Sequence, residues 1–224
     1  MSKAIMAGAL LAAAGASASA NLVITEIWAG GFGGAEATSD WVEITNFGAS
    51  AVSLAGTYYD DDSADPTKND PLEGIASIAA GESVIVLISW EDDYATSTDA
   101  ISAFTATWGA GNLAGVQIGY VTGGSGLGGG GDAAFFFDGN TAGANTIASQ
   151  AYAGPTEAAS FIYNPNTGLF GDSAQAGVFG AFNSVLPASD AGADPAVGSP
   201  GLVPAPASAA LIGVGGLVAT RRRR

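Results

Sequence analysis

The sequence predicts an all-β protein with a β-sandwich architecture, and three observations lead to this. Short runs of β-branched and aromatic residues recur along the chain, separated by Gly, Asn, Asp and Pro. Glycine is abundant, with 34 of 224 residues, which fits turns between strands better than a helical protein. The chain is 48% hydrophobic and 12% charged, so it is too apolar for intrinsic disorder.

The individual strands are predicted from residue alternation. The first is 22–28, and in the second, 41–45, Val42 and Ile44 share one face. The run 83–90 is apolar on both faces, which predicts a central strand. The further predicted strands are 51–54, 57–59, 75–78, 116–121, 133–137, 148–153, 158–163 and 178–182. Short strands at this spacing favour a sandwich over a helical crossover fold.

The N-terminal residues 1–20 are predicted to be a secretory signal peptide. A positively charged start is followed by a short apolar run, and Ala18 and Ala20 complete an A-x-A cleavage site before Asn21. The apolar run is too short to span a membrane. We therefore expect export, with signal peptidase as the processing partner.

The residues 203–224 have three parts in order. Regular structure is broken at Val203, Pro204, Ala205 and Pro206. An apolar stretch follows, and the chain stops at Arg221, Arg222, Arg223 and Arg224, which the positive-inside rule places on the cytoplasmic side of a membrane.

This three-part layout resembles the PEP-CTERM sorting signal, although Ala205 stands where that motif usually has Glu. The resemblance implies an exosortase-type sorting enzyme as partner, transient membrane contact through the tail, and a final place at the cell surface or in the extracellular matrix. The alternative is a plain C-terminal anchor that stays in the membrane.

Between these ends we predict a domain at 21–188 and a flexible linker at 189–202. Several pieces of the domain, in order, resemble the lamin-tail domain family. The matching pieces are 22–27, 40–46, 51–54, 78–82, 126–132 and 198–201. The resemblance implies an immunoglobulin-like β-sandwich that serves as an accessory or surface module, and it argues against an enzyme. The chain departs from the family pattern at the acidic segment 55–69 and in the region 139–197.

The distribution of charge excludes several classes of function. Outside the two terminal segments the chain has one base, Lys68, against 21 acids, a formal charge of −20. Such a surface repels phosphate backbones and anionic lipid, so nucleic acid is not an expected partner. The acidity either keeps the protein soluble or binds cations. Since the chain has no Cys and no His, thiol nucleophiles, disulfides and histidine bases are excluded.

The densest group of carboxylates is a candidate calcium site. Its residues are Asp60, Asp61, Asp62, Asp65 and Asp70. Calcium takes six to eight oxygen ligands, and neighbouring loop carboxylates can supply several of them. The spacing lacks the glycine and final glutamate of an EF-hand, and the alternative is a solvated acidic loop. No other cofactor is expected.

Aromatic residues beside the acidic loops are candidate glycan-stacking residues, namely Tyr58, Tyr59 and Trp90. The alternative is that they pack in the core. A G-x-G-x-x-G match at 126–131 is dismissed as a dinucleotide site, because the residues after it predict a strand rather than a helix. No catalytic residues are assigned, since Lys68, the one lysine outside the terminal segments, lies among carboxylates and is not an activated nucleophile there.

The sequence thus predicts a non-enzymatic surface or extracellular-matrix protein that uses its sandwich as a structural or adhesive module. The alternative is a calcium- or carbohydrate-binding module that retains exopolysaccharide at the cell surface. Expected partners are extracellular polysaccharide or other surface proteins.

Overall fold

The computed structural model describes residues 22–29, 39–123, 126–154, 158–187 and 195–202. The predicted signal peptide, its cleavage site and the sorting tail with its four arginines all lie outside the described residues. Within the described part of the chain, no helix is long and apolar enough to cross a membrane.

The described residues form fourteen strands, one α-helix and one short 3-10 helix. Their bounds are β1 (Leu22–Trp28), β2 (Asp40–Asn46), β3 (Val52–Ser53), β4 (Tyr58–Asp60), β5 (Asp70–Glu73), β6 (Ser77–Ile78), β7 (Ser83–Ile88), the 3-10 helix (Trp90–Asp92), α1 (Ser97–Trp108), β8 (Gln117–Val121), β9 (Gly131–Phe137), β10 (Thr146–Ala153), β11 (Phe161–Asn164), β12 (Leu169–Ser173), β13 (Phe182–Pro187) and β14 (Pro195–Gly198).

Ten strands join in one sheet in the order β10-β9-β4-β5-β8-β7-β2-β1-β11-β12. The sheet curls, so that β4, β9 and β10 lie across from β1, β2 and β7, and the main core fills the space between these two groups. The predicted all-β sandwich is confirmed. Two small sheets pair β3 with β6 and β13 with β14.

The central strands β1, β2 and β7 are buried on both faces. On one face, Val42 and Val86 join the main core with Phe136 of β9. On the other face, Trp41 and Leu87 pack in a second core with residues of α1. All six residues of β7 are buried, which confirms the prediction that this run forms a central strand.

Helix α1 was not predicted. It links β7 to β8, which lie parallel, so the sandwich contains one helical crossover of the kind that the sequence argued against. The Thr96 hydroxyl caps its start by accepting a hydrogen bond from the Asp99 N–H at 3.1 Å. The buried residues of α1 recur at helical spacing, and they are Ala100, Phe104, Thr107 and Trp108. The sequence therefore carried the periodicity of an amphipathic helix, within a segment rich in serine and threonine.

The C-terminal part of the domain differs most from the prediction. Residues 178–180 form a turn rather than a strand, and β13 begins at Phe182. The predicted linker 189–202 is wrong for residues 195–202, because β14 pairs with β13 and the residues after it contact the central sheet. The segment looks like a linker because its small residues must fit close against the core. Strands β5 and β12 were also missed.

The second core rests on aromatic contacts between the sheet and α1, which gives a first prediction. Phe104 is 1% exposed, and its ring meets the Trp41 ring edge-on at a centroid distance of 5.6 Å. We expect Phe104→Ala to lower the free energy of unfolding by about 3–5 kcal/mol, measured by chemical denaturation, because it leaves a cavity. The matched control Ser102→Ala on the exposed face of α1 should change it by less than about 0.5 kcal/mol. An equal effect of both changes would contradict this account of the helix.

Candidate functional site

Two carboxyl groups lie side by side in the interior, on the face of the sheet that α1 and the C-terminal segment cover. Glu26 of β1 and Glu43 of β2 are cross-strand partners, and each is 1% exposed. The register shifts by one residue between Ile24 and Glu26. Because Ile24 faces the main core, this β-bulge is what turns Glu26 to the same face as Glu43.

Glu26 is bonded mainly to the C-terminal segment. Its Oε1 accepts hydrogen bonds from the Ser160 hydroxyl at 2.5 Å and from the Ser199 N–H at 2.7 Å. The Ser199 hydroxyl donates to Oε2 at 2.8 Å. One carboxyl group thus receives three donors, two of them from a single residue far along the chain.

Glu43 completes the attachment of that segment. Its Oε2 accepts a hydrogen bond from the Gly201 N–H at 2.7 Å, and its Oε1 accepts one from the Thr25 hydroxyl at 2.5 Å. Thr25 continues into a chain of buried hydroxyl groups through Thr45, at 2.8 Å, to Ser83, at 2.6 Å. We name Glu26, Glu43, Ser199 and Gly201 the carboxylate clasp.

The clasp contains no countercharge. Lys68 is the one base among the described residues, and it pairs with Asp65 at 3.7 Å instead. Burial, and then the neighbouring Glu43, raises the pKa of Glu26 to about 8, and burial raises the pKa of Glu43 to about 7. Both carboxyl groups therefore hold protons well above their ordinary range.

Glycines let the C-terminal segment approach the sheet closely. A Cβ atom on Gly198 would lie 2.7 Å from Glu26 Oε1 and 2.8 Å from the Trp108 ring. Gly201 has φ +81°, and a Cβ atom there would lie 2.4 Å from Val116 Cγ2. Any side chain at these positions would push the segment away from the carboxyl groups.

The clasp brings together three of the sequence pieces that carry the lamin-tail resemblance. Glu26 lies in the first piece, Glu43 in the second, and Ser199 and Gly201 in the last. A further contact ties the second piece to 78–82, since the Asn46 side-chain amide donates to the Ile78 carbonyl at 3.1 Å. These residues hold distant parts of the chain together.

Glu26 and Glu43 were not predicted as site residues. Strand alternation puts Glu43 on the opposite face of β2 from Val42, but the cover over that face comes from a helix and a segment that were not predicted. A signal was nonetheless present, because each glutamate interrupts a strand of otherwise apolar or aromatic character. A carboxylate in a strand that is buried on both faces needs interior partners.

The predicted calcium loop has a different internal structure from a coordination loop. Asp60 is buried, and its Oδ2 accepts hydrogen bonds from the Ser63 hydroxyl at 2.7 Å and the Asp65 N–H at 2.6 Å. Asp61 accepts from the Ser63 N–H at 3.1 Å, and Asp62 is exposed. The carboxylates are thus used to shape their own loop.

Asp65 and Asp70 lie in different environments. Hydrogen bonds from the side chain and backbone of Thr67 lower the pKa of the exposed Asp65 carboxyl. The pKa of Asp70 is raised by partial burial and then by the nearby charges of Asp60, Glu91 and Asp61. Within the described part of the chain, no group of three or more carboxylates is placed to hold a metal ion.

The candidate glycan-stacking residues are mostly interior. Tyr59 is fully buried and packs on Phe136 at a centroid distance of 5.5 Å. Trp90 is 8% exposed, and its Nε1 donates to the Val121 carbonyl at 2.8 Å. Tyr59 and Trp90 therefore pack in the core, as the alternative predicted, and they do not form an exposed surface for stacking against a glycan. Tyr58 is half-buried and keeps some ring surface open.

The glycine-rich segment at 126–131 is followed by a strand, β9, as expected. Its backbone serves two carboxylates, because the Leu127 N–H donates to Asp40 at 2.8 Å and the Gly128 N–H donates to Asp132 at 2.6 Å. The segment thus closes one end of the sandwich against acidic residues rather than against a phosphate.

Comparison of the chain with protein-family models, curated proteins and solved structures found no match. The functional argument therefore depends on the residues and geometry described above.

The close approach at Gly198 generates the second prediction. Gly198→Ala forces a methyl group against Glu26 and Trp108, so we expect a loss of about 1–3 kcal/mol in the free energy of unfolding, measured by chemical denaturation. The matched control is Gly143→Ala, because a Cβ atom at Gly143 has no neighbour within 4 Å. A destabilisation as large in the control would show that the close contact at Gly198 is not the cause.

The buried glutamates generate the third prediction. Since the folded state binds their protons more tightly than the unfolded state, the contribution of these two groups to stability is fully present below the ordinary carboxyl pKa of 4.5 and declines as pH rises to about 7 for Glu43 and about 8 for Glu26. Each group contributes a slope of up to about 1.4 kcal/mol per pH unit in its window.

The pH dependence is measured by denaturant titration at a series of pH values. The double variant Glu26→Gln/Glu43→Gln should show a flatter dependence than the parent chain. The change Glu73→Gln, at an exposed glutamate, should leave the parent slope unchanged. A parent chain whose stability rises between these pH limits would refute the assignment.

Proposed function

We propose that this chain is a non-enzymatic exported protein of the cell surface or extracellular matrix, with its lamin-tail-like β-sandwich as a structural or adhesive module. The observation that carries the proposal is the carboxylate clasp. It contains the two groups whose pKa values are raised to near neutrality, a property common in catalytic carboxyls. Here both groups are enclosed and bonded to the chain itself.

Three further features support the proposal. The domain is strongly acidic, which suits a soluble exterior protein that repels nucleic acid and anionic membranes. Both cores are well filled by aliphatic and aromatic side chains. The clasp joins the pieces 22–27, 40–46 and 198–201, in agreement with the use of these residues to maintain a fold.

The test of the proposal is the intact mass of the native protein in membrane, surface and medium fractions. We expect a mass that begins at Asn21 and ends near Pro204, found outside the inner membrane. A mass that runs to Arg224 in the membrane fraction would replace the sorting proposal with a permanent anchor. A chain that keeps residues 1–20 and stays inside the cell would overturn the proposal.

A second candidate function is calcium or polysaccharide binding, with retention of exopolysaccharide at the surface. It is favoured by the surroundings of Asp70, whose pKa is raised by partial burial and then by the charges of Asp60, Glu91 and Asp61. A bound divalent cation would relieve that repulsion, and it would stabilise the folded state through linkage.

The binding candidate generates the fourth prediction. If it holds, calcium should raise the melting temperature, and Asp61→Asn/Asp62→Asn should remove that rise, because Asp61 contributes to the negative charge at Asp70 and Asp62 is exposed beside it. Magnesium serves as the comparison ion, and Asp93→Asn on an exposed position as the control variant. Melting curves that do not respond to calcium or to a panel of polysaccharides would leave the structural module as the sole candidate.

A further inference from the structure

The C-terminal segment 195–202 is attached to the domain differently from the strands of the ten-stranded sheet. Strand β14 pairs with β13 in a separate two-stranded sheet, with register partners such as Phe182 and Gly198. It adds no strand to the ten-stranded sheet. The segment can therefore move away from the body without breaking a ladder of the main sheet.

The clasp supplies a large part of what holds this segment down. Three hydrogen bonds run from the segment to the buried carboxyl groups, two from Ser199 and one from Gly201. Further polar attachments are the bonds of Val197 with the backbone of Ala158 and Ser160, the Ala196 N–H bond to the Ser184 hydroxyl at 2.8 Å, and the pairing of β14 with β13. We propose that Glu26 and Glu43 form a pH-sensitive latch, closed over 195–202 when protonated and opened by ionisation while the main sheet stays folded.

If Glu26 and Glu43 ionise, no positively charged group among the described residues lies beside them. The elements packed around the pair contribute hydroxyl groups, N–H groups and an indole: Ser83 from β7, Ser160 from the approach to β11, Ser199 and Gly201 from the segment, and Trp108 from α1. Glu26 and Glu43 are the titratable groups that face this space among the described residues, and each disfavours ionisation of its neighbour.

The hydrogen-bond network tolerates the protonated form. A hydroxyl group can reverse from donor to acceptor, so Ser199 Oγ can receive the Glu26 proton and Thr25 Oγ1 can receive the Glu43 proton. The N–H groups of Ser199 and Gly201 still donate to the unprotonated oxygens. Proton binding thus keeps every bond of the segment in place.

Ionisation has the opposite effect because a buried charge without a partner requires water. The sheet side of the pair is closed by β1, β2 and β7, whose bonding extends across the ten-stranded sheet. The segment covers the carboxyl groups through the three clasp bonds and lies outside the ten-stranded sheet, so it can be displaced without breaking a ladder of that sheet. Displacement of 195–202 hydrates both charges, and it is therefore the route by which the domain relieves them.

The latch is tested by hydrogen exchange with mass spectrometry on the full chain between about pH 6 and about pH 9, with rates corrected for intrinsic exchange. We expect the protection of peptides that cover 195–202 to fall with rising pH by up to about a hundredfold per pH unit below pH 7, where both groups lose protons on opening, by about tenfold between pH 7 and pH 8, and to level off above pH 8. Peptides of β7 exchange only through global unfolding, so they should stay more strongly protected than the segment at every pH.

The double variant Glu26→Gln/Glu43→Gln keeps the side-chain shape and removes both titrations. In it, the protection of 195–202 should not depend on pH, whereas the exposed control Glu73→Gln should behave as the parent chain does. The hydrogen-exchange measurements on the parent chain test the latch even if the double variant does not fold. Constant protection of 195–202 in the parent, equal protection of β7 and the segment at every pH, or an undiminished pH dependence in the folded double variant would each overturn the latch.

Discussion

The carboxyl groups of Glu26 and Glu43 lie beneath a covering layer made of helix α1 and the segment 195–202. The described part of the domain places no positive charge beside them. Burial of an unpaired carboxylate is among the most costly arrangements in a protein interior, and the surrounding structure reduces that cost by supplying hydrogen-bond donors. A β-bulge turns Glu26 toward Glu43, and Ser199 and Gly201 approach closely enough to bond them. The helix and the C-terminal segment both lie over this pair, so the covering layer is organised around it.

The same constraint explains the composition of the covering layer. Trp108 of α1 lies against the position of Gly198, so the helix and the segment restrict one another as well as the sheet. An edge-on contact between Trp41 and Trp108, at 5.7 Å, fixes the height of the helix above β2. Small residues in the segment and large rings in the helix thus complement each other around the two carboxyl groups.

The sequence predicted the sandwich well, because strand alternation and the doubly apolar run of β7 depend on local pattern. It predicted the covering layer poorly. Helix α1 is built from serine, threonine and alanine, and β14 has the composition of a linker, so in both cases tertiary contacts decide the structure. The clasp could not be predicted, because it depends on the bulge at Thr25 and on a partner far away in the chain. The roles proposed for the terminal segments stay predictions.

The distance between the clasp residues along the chain also constrains the order of folding. Glu26 and Ser199 are separated by 173 residues, so their bond closes a loop that includes nearly the whole domain. A chain that emerges N-terminus first presents β1 and β2 long before Ser199 is made, and until then both glutamates favour water over the interior. The central strands are therefore kept from early burial by their own polar residues. The C-terminal segment can therefore close over the two glutamates only after the last strand of the domain has been made.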